Sequence, residues 1–367
     1  MSTTLPRPPV TVATRRVEGE EGRSLLRPVS ARRAVLVAFG ALAGAVLLGV
    51  SIGPADVSFS AALRVLASHI PFLHIHSGVS RVDSDILWQI RLPRVVLGGL
   101  VGAMLAGGGA AFQGVFRNPL ADPYLLGVAA GAGLGATAVI VGGHHLSELL
   151  PLAAFAGAVG AVTLTYLVGA TVGRQGATAS IVLAGVAVAA LLTAIQTFLQ
   201  QRHAQDLQVV YGWILGSLTV ATWSDVVLIL PYVAVSAVVL ISHRRLLDVL
   251  RVGEDEADSL GVRSSRVRIT VVAAATLGTA AAVAVSGLIG FVGIIVPHTV
   301  RLTTSASYRV VVPVSMIGGA AFLILADVAA RTVLSPSEIP IGVVTAFVGA
   351  PFFLFVLRSR RAGRSTS

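Results

Sequence analysis

Between His243 and Arg268 the chain reads HRRLLDVLRVGEDEADSLGVRSSRVR, with six arginines and five acids: Asp248, Glu254, Asp255, Glu256 and Asp258. Leu246, Leu247, Val249 and Leu250 give the segment a short apolar face, and Gly253 breaks it. Glu254–Leu260 then reads as a second short helix, with acids in its first turn and Gly261 just past its end, as helix-dipole and C-cap rules prefer. A structured, charged helix-turn-helix of this kind suits recognition of another protein. On form alone the stretch reads equally as a docking knob or as a charged hairpin that joins its neighbours.

Other reactive side chains are sparse. There is no cysteine among the 367 residues, which removes disulfides, thiol catalysis and cysteine–zinc sites. There is no lysine either, so all 27 basic residues are arginine. A P-loop needs its lysine on the nucleotide phosphates, so any ATP used here must be bound by another chain. His69, His74 and His76 cluster, and His144 and His145 are adjacent. No carboxylate stands at helical spacing with the 69–76 cluster, and no metal site is expected. His298 with Arg301 reads as an interfacial turn. No carboxylates are paired for acid–base work and no Ser-His-Asp set is present, which leaves an intramembrane enzyme unsupported.

The elements that must carry these residues are apolar. Hydrophobic residues make up 55% of the chain and charged residues 12%, with mean hydropathy +0.86. Soluble domains are about one quarter charged. Continuous runs of about 20 apolar residues predict an all-α polytopic membrane protein rather than a β-barrel. Ten spans fit, near 34–53, 94–116, 123–142, 149–171, 178–200, 225–242, 269–288, 290–303, 311–330 and 341–357. The eighth is too short to cross about 30 Å alone, so it is tilted, broken or merged with the seventh. Gly98, Gly102 and Ala106, and likewise Gly127, Gly131 and Gly135, recur at four-residue spacing as faces for close helix packing. Asn and Asp in Arg117-Asn118-Pro119-Leu120-Ala121-Asp122-Pro123 supply caps for a tight turn, with a supporting place at a docking surface left open. Val57–Ile70 reads as an interfacial helix, and 201–224, with Tyr211, Trp213 and Trp223, as interfacial or as the lining of an outer vestibule. Asp327 is expected to pair locally with Arg331.

With the N-terminus placed in the cytoplasm, 21 of the 27 arginines fall on that side. That bias is what the positive-inside rule requires. Both termini and the 243–268 stretch are therefore expected inside, with 1–33 a disordered tail, 34–358 the transmembrane permease domain and 359–367 a second tail. The +10 charge follows topology, and nucleic acid is not an expected partner. Acids within spans, which proton- or sodium-coupled carriers need, are nearly absent. The economical reading is a transport subunit driven by a separate ATPase. Its rivals are a secondary carrier and a non-transporting anchor or receptor.

A series of motifs adds to this. In order they are Arg91-Leu92-Pro93-Arg94; Gln113 with 117–123; Leu126-Gly127-Val128; 183–186; Trp213 with Gly216-Ser217-Leu218; Gly253-Glu254 with Ser259-Leu260-Gly261-Val262; Gly290-Phe291-Val292-Gly293 with Val296-Pro297-His298; and Arg331 with 339–342 and 349–353. From about Ala34 to Arg358 the chain resembles the FecCD family of ABC importer permeases, the type that includes the vitamin B12 permease. That resemblance implies about ten spans and a partner set. The partners are two cytoplasmic ABC ATPase subunits, an extracytoplasmic substrate-binding protein and a second permease subunit, identical or sister, in the plasma membrane. No cofactor is implied. The family's ATPase-coupling loop matches Gly253, Glu254, Asp255, Glu256, Ala257, Ser259, Leu260 and Gly261. Its outer arginines, which pair with glutamates of the binding protein, match Arg91, Arg94 and Arg331, and its inner gate matches Thr178 and Ala179. Ferric siderophore is the broadest cargo expectation, with cobalamin and heme behind it.

Overall fold

The computed structural model describes residues 30–53, 58–68, 78–143, 149–171 and 177–362. Among them every regular element is helical: α1 (Ala31–Ser51), α2 (Phe59–Ser68), α3 (Arg81–Asp85), α4 (Leu92–Val115), α5 (Val128–Val141), α6 (Leu149–Thr171), α7 (Ala177–Arg202), α8 (Leu207–Ile214), α9 (Trp223–Leu250), α10 (Glu254–Ser259), α11 (Ser264–Ser286), α12 (Val292–Thr303), α13 (Tyr308–Thr332) and α14 (Ile341–Ala362). A π-helical stretch, Ile86–Arg91, joins α3 to α4 without a break. The ten expected spans correspond to α1, α4, α5, α6, α7, α9, α11, α12, α13 and α14. Within the expected 57–70 stretch a helix is found as α2. The expected histidine clusters and the tail before residue 30 lie outside the described residues.

Among the described residues seven helices are long and apolar enough to cross a membrane. Their burial divides them. The most apolar stretches of the α3–α4 rod, α11 and α13 are 78, 72 and 67% buried, whereas those of α1, α6, α7 and α9 are only 28–33% buried. The first group forms the centre, with α4 packed on α13, α11, α9 and α12. The second group turns leucine, valine and phenylalanine side chains outward, as helices facing lipid or another subunit do.

Small residues set the crossings. A Cβ on Gly102 would run into the carbonyl oxygen of Gly319, and one on Gly319 would run into that of Gly102 and into Ala106. Backbone therefore meets backbone where α4 crosses α13. Gly131 and Gly157 exclude a Cβ from one another in the same way where α5 crosses α6. Apolar side chains gain nothing by leaving lipid for each other, so close backbone contact is the main attraction available. Gly98 faces Leu218 instead, and Gly127, in a left-handed conformation (φ 88°), closes the short 3-10 turn Pro123–Leu126. The third span accordingly begins at Val128 rather than Pro123. In the turn before it the expected caps are present. Asn118 Oδ1 accepts from the Leu120 N–H at 3.0 Å, and Asp122 Oδ1 from that of Tyr124 at 2.8 Å.

The seventh and eighth spans are separate. The chain leaves α11 at Gly287 (φ 69°) and enters α12 from Phe291 (φ 68°). Twelve residues of α12 rise only about 18 Å at 1.5 Å each. The connection must therefore dip into the bundle. It is held there by other backbone, since Ser217 N donates to Ser286 O at 2.9 Å, and Ile341 N to Gly216 O at 3.1 Å. Irregular backbone is tolerated at membrane depth only when protein or an aqueous path surrounds it. The 213–218, 286–291 and 339–342 segments meet at this point.

Candidate functional site

The two ends of the bundle carry the charged residues. At one end the three expected arginines come together, but inside the protein. Arg91, Arg94 and Arg331 are 3, 7 and 3% exposed. The π-helical stretch widens the rod just before α4 and turns Arg91 back toward α1. There its Nη1 donates to the carbonyls of Val50 at 2.9 Å and Ser51 at 2.7 Å. Arg331 Nη2 donates to Gly49 O at 2.7 Å. Arg94 holds two carboxylates. Its Nε and Nη2 both reach Asp327 Oδ1, at 2.9 and 2.8 Å, and its Nη1 and Nη2 reach Glu338 Oε1 and Oε2 at 2.9 and 2.8 Å. Glu338 also accepts from Thr219 Oγ1 at 2.8 Å. In the folded chain these guanidiniums tie α1, α4, α13 and the 333–340 turn into one block.

The expected Asp327–Arg331 pair is present at 3.5 Å, but it is the looser of Asp327's two ion pairs; Arg94 approaches to 2.8 Å. Glu338 went unremarked in the sequence because nothing local marks it. Only a buried arginine 244 residues away explains its place. The Arg94 guanidinium holds the Glu338 carboxyl below its ordinary range. Trp88 and Trp223 pack at a tilt of 44° beside this block, with ring centroids 5.7 Å apart and Trp223 Nε1 donating to Trp88 O at 2.9 Å.

The opposite end carries α10. Gly253 precedes it at φ 145°, a conformation L side chains rarely adopt, and a Cβ there would strike the Glu256 carboxylate. Gly261 follows at φ 81°, and Val262 N closes back on Ala257 O at 3.0 Å, the six-to-one bond of a Schellman end. Ala257 is fully buried in the cluster that holds Leu247, Leu250 and Val267. Glu254 pairs with Arg268 at 2.7 Å, and Asp258 Oδ1 accepts from Ser264 N at 2.9 Å, fixing α10 to α11. Asp255, Glu256, Ser259 and Leu260 are left exposed, with Leu260 at 68%. The Leu246–Leu250 arm is not a separate helix. It continues α9 without interruption. Thr178 and Ala179 lie in the first turn of α7.

The bundle thus carries an acidic, apolar-tipped projection at one end and a braced arginine block at the other. A match to the model of the FecCD transport family runs over residues 41–359. The chain belongs to the FecCD transport family. Among curated FecCD relatives, a cobalamin import system permease protein of Halobacterium salinarum is 41% identical over 328 residues, covering 87% of this chain and 88% of its own. A hemin transport system permease protein of Yersinia pestis is 38% identical, covering 77% of this chain and 87% of its own. Among solved structures, an ABC transporter assigned to the metal-chelate type, in an inward-facing conformation, superposes with TM-score 0.78 at 28% identity. That match covers 89% of this chain and 99% of the other. The chain is a FecCD transport subunit, a multi-pass membrane protein with the ABC importer permease fold.

Proposed function

We propose that this chain is the translocating subunit of an ABC importer for a metal chelate in the plasma membrane, with both termini cytoplasmic. The observation that carries the reading is α10. It is bounded by Gly253 and Gly261, closed at its C-terminal end and tied to α11, yet it leaves acids and Leu260 uncovered on a chain with no lysine for an ATP site of its own. In the assembled importer Gly253–Gly261 docks a cytoplasmic ATPase on each of two permease subunits, and Asp255 and Glu256 meet basic residues there. ATP-driven closure of the ATPases then moves α9 and α11 together through this contact. The outer end braced by Arg91, Arg94 and Arg331 receives the binding protein, with Thr178 and Ala179 at the inner gate.

Ferric siderophore is the broadest cargo class for such a permease. Cobalamin is a second reading, favoured by the 41% identity to a cobalamin permease. The test is uptake into proteoliposomes holding the permease with its cognate ATPase and binding protein. ATP-dependent uptake of ferric siderophore, cobalamin or hemin, abolished by changes across Gly253–Gly261, is the expected result, and competition among the three names the cargo. Uptake that persists without the ATPase would make the chain a secondary carrier. Partner binding without flux would make it a receptor.

A further inference from the structure

Beside α10, at the same end of the bundle, lies a cavity of about 240 Å³ lined by Gln113, Arg117, Pro119, Arg251, Arg301, Ala306 and Tyr308. Three guanidiniums converge on it from three different segments: the turn after α4, the end of α9 and the end of α12. Among the described residues no carboxylate pairs with any of them. Nearby arginines are treated otherwise, since Arg268 has Glu254 and Arg309 has Asp248. Asp248, on α9 near Arg251, is engaged elsewhere, accepting from Ser307 Oγ at 2.6 Å and Tyr308 N at 2.7 Å.

Arg301 is positioned by neutral groups alone. Its Nη1 donates to Gln113 Oε1, its Nη2 donates to Tyr308 OH at 3.3 Å, and its guanidinium lies 5.3 Å from the Tyr308 ring centroid. Gln113 is fixed in turn, because its Nε2 donates to Gly293 O at 2.9 Å. Arg251 spends one N–H on Ala306 O at 3.0 Å. The remaining donors are free for an occupant. Three guanidiniums gathered around a partly enclosed space make a complementary site for an anion.

We propose that this cavity is an oxyanion site that takes a phosphate group. The two oxygens of a carboxylate lie in one plane, whereas a tetrahedral phosphate presents oxygens in directions that reach all three arginines and Tyr308. Occupancy would knit the ends of α4, α9, α12 and α13 beside the α10 projection, and so stiffen the base from which α10 extends. The same group could be carried by a soluble phosphate compound or by the headgroup of an anionic phospholipid.

The test uses the full chain in nanodiscs of phosphatidylcholine, titrated with inorganic phosphate against chloride at matched ionic strength and read by calorimetry. Saturable phosphate binding is expected, weakened at least tenfold by Arg301→Gln. Because Arg301 is packed into the protein, the exposed pair Arg117→Gln and Arg251→Gln provides variants whose fold is safe, and their combination should weaken binding to the same degree. Arg266→Gln, an exposed arginine outside the cavity, should leave it unchanged. No binding beyond chloride, or equal binding by the Arg117/Arg251 double variant, overturns the proposal. Nanodiscs containing phosphatidylglycerol separate the sources. Loss of phosphate binding there assigns the site to the lipid headgroup, and unchanged binding assigns it to a soluble compound.

Discussion

Replacing Asp327 by Asn tests whether the arginine block holds this end of the molecule together. Asp327 is 2% exposed and accepts three hydrogen bonds from Arg94, two at Oδ1 and one at Oδ2, at 2.8–3.1 Å. The block contains three guanidiniums against two carboxylates, Asp327 and Glu338. Asparagine keeps the size but leaves three cations against one anion, and its amide NH2 must face a donor or turn away. Removing one partner of a buried ion pair costs about 3–5 kcal/mol, most of it from the charge left behind. That is roughly two to three and a half orders of magnitude in the folding equilibrium. The assay is unfolding by SDS titration in mixed micelles. Tryptophan fluorescence serves as the readout, because Trp88 and Trp223 pack at this same end. A second variant, Asp327→Asn with Arg331→Gln, restores the charge balance and should recover about 1–3 kcal/mol through the coupling term. A loss below about 1 kcal/mol for Asp327→Asn, the range of exposed pairs, would refute the bracing role.

Gly102→Val should separate α4 from α13, because the new side chain has only the Gly319 carbonyl to enter; a loss of at least about 1–3 kcal/mol in the same titration is expected. Gly253→Ala should strain α10 by about 1–3 kcal/mol and speed amide exchange over Glu254–Ser259, while exchange in α4 and α13 stays slow. Charge reversal of Asp255 and Glu256 to Arg should weaken ATPase binding tenfold or more and abolish its salt dependence, measured by surface plasmon resonance across ionic strengths; unchanged affinity would remove these residues from the dock. Glu338 sets a pH expectation. Its carboxyl is held below its ordinary 4.5 by Arg94, so its stabilisation is complete above 4.5 and fades only as pH falls below it. Amide protection of the 333–340 turn should thus be flat from pH 7 to pH 5, and loss of protection within that range would contradict the Arg94–Glu338 pairing.

Much of the fold is written locally. Ten apolar runs, the glycine faces of α4 and α5, the Asn118 and Asp122 caps and the Gly253–Gly261 boundaries of α10 all depend on neighbours within a few residues. Periodicity and turn chemistry therefore expose them. The shortness of the eighth span was legible too, since a segment no longer than 290–303 cannot cross about 30 Å alone. Its separation from the seventh was not, because that depends on Gly287 lodging against Trp213 and Gly216.

The charged clusters behave differently. The sequence marked Arg91, Arg94 and Arg331 by type and motif, and Arg117 and Arg301 by their place at span ends. What each arginine touches was decided by helix packing. Arg94 meets Glu338 because α4 and α13 cross with glycine against glycine, which brings the 333–340 turn over the rod. Arg117, Arg251 and Arg301 meet because three span ends converge beside α10. Helix formation is a matter of near neighbours, whereas the partners of a buried charge are chosen by which ends the whole bundle brings together. The sequence alone therefore determines that this chain is a bundle of membrane helices with an acidic projection. Only the tertiary structure decides which arginines are neutralised within it and which converge on a cavity.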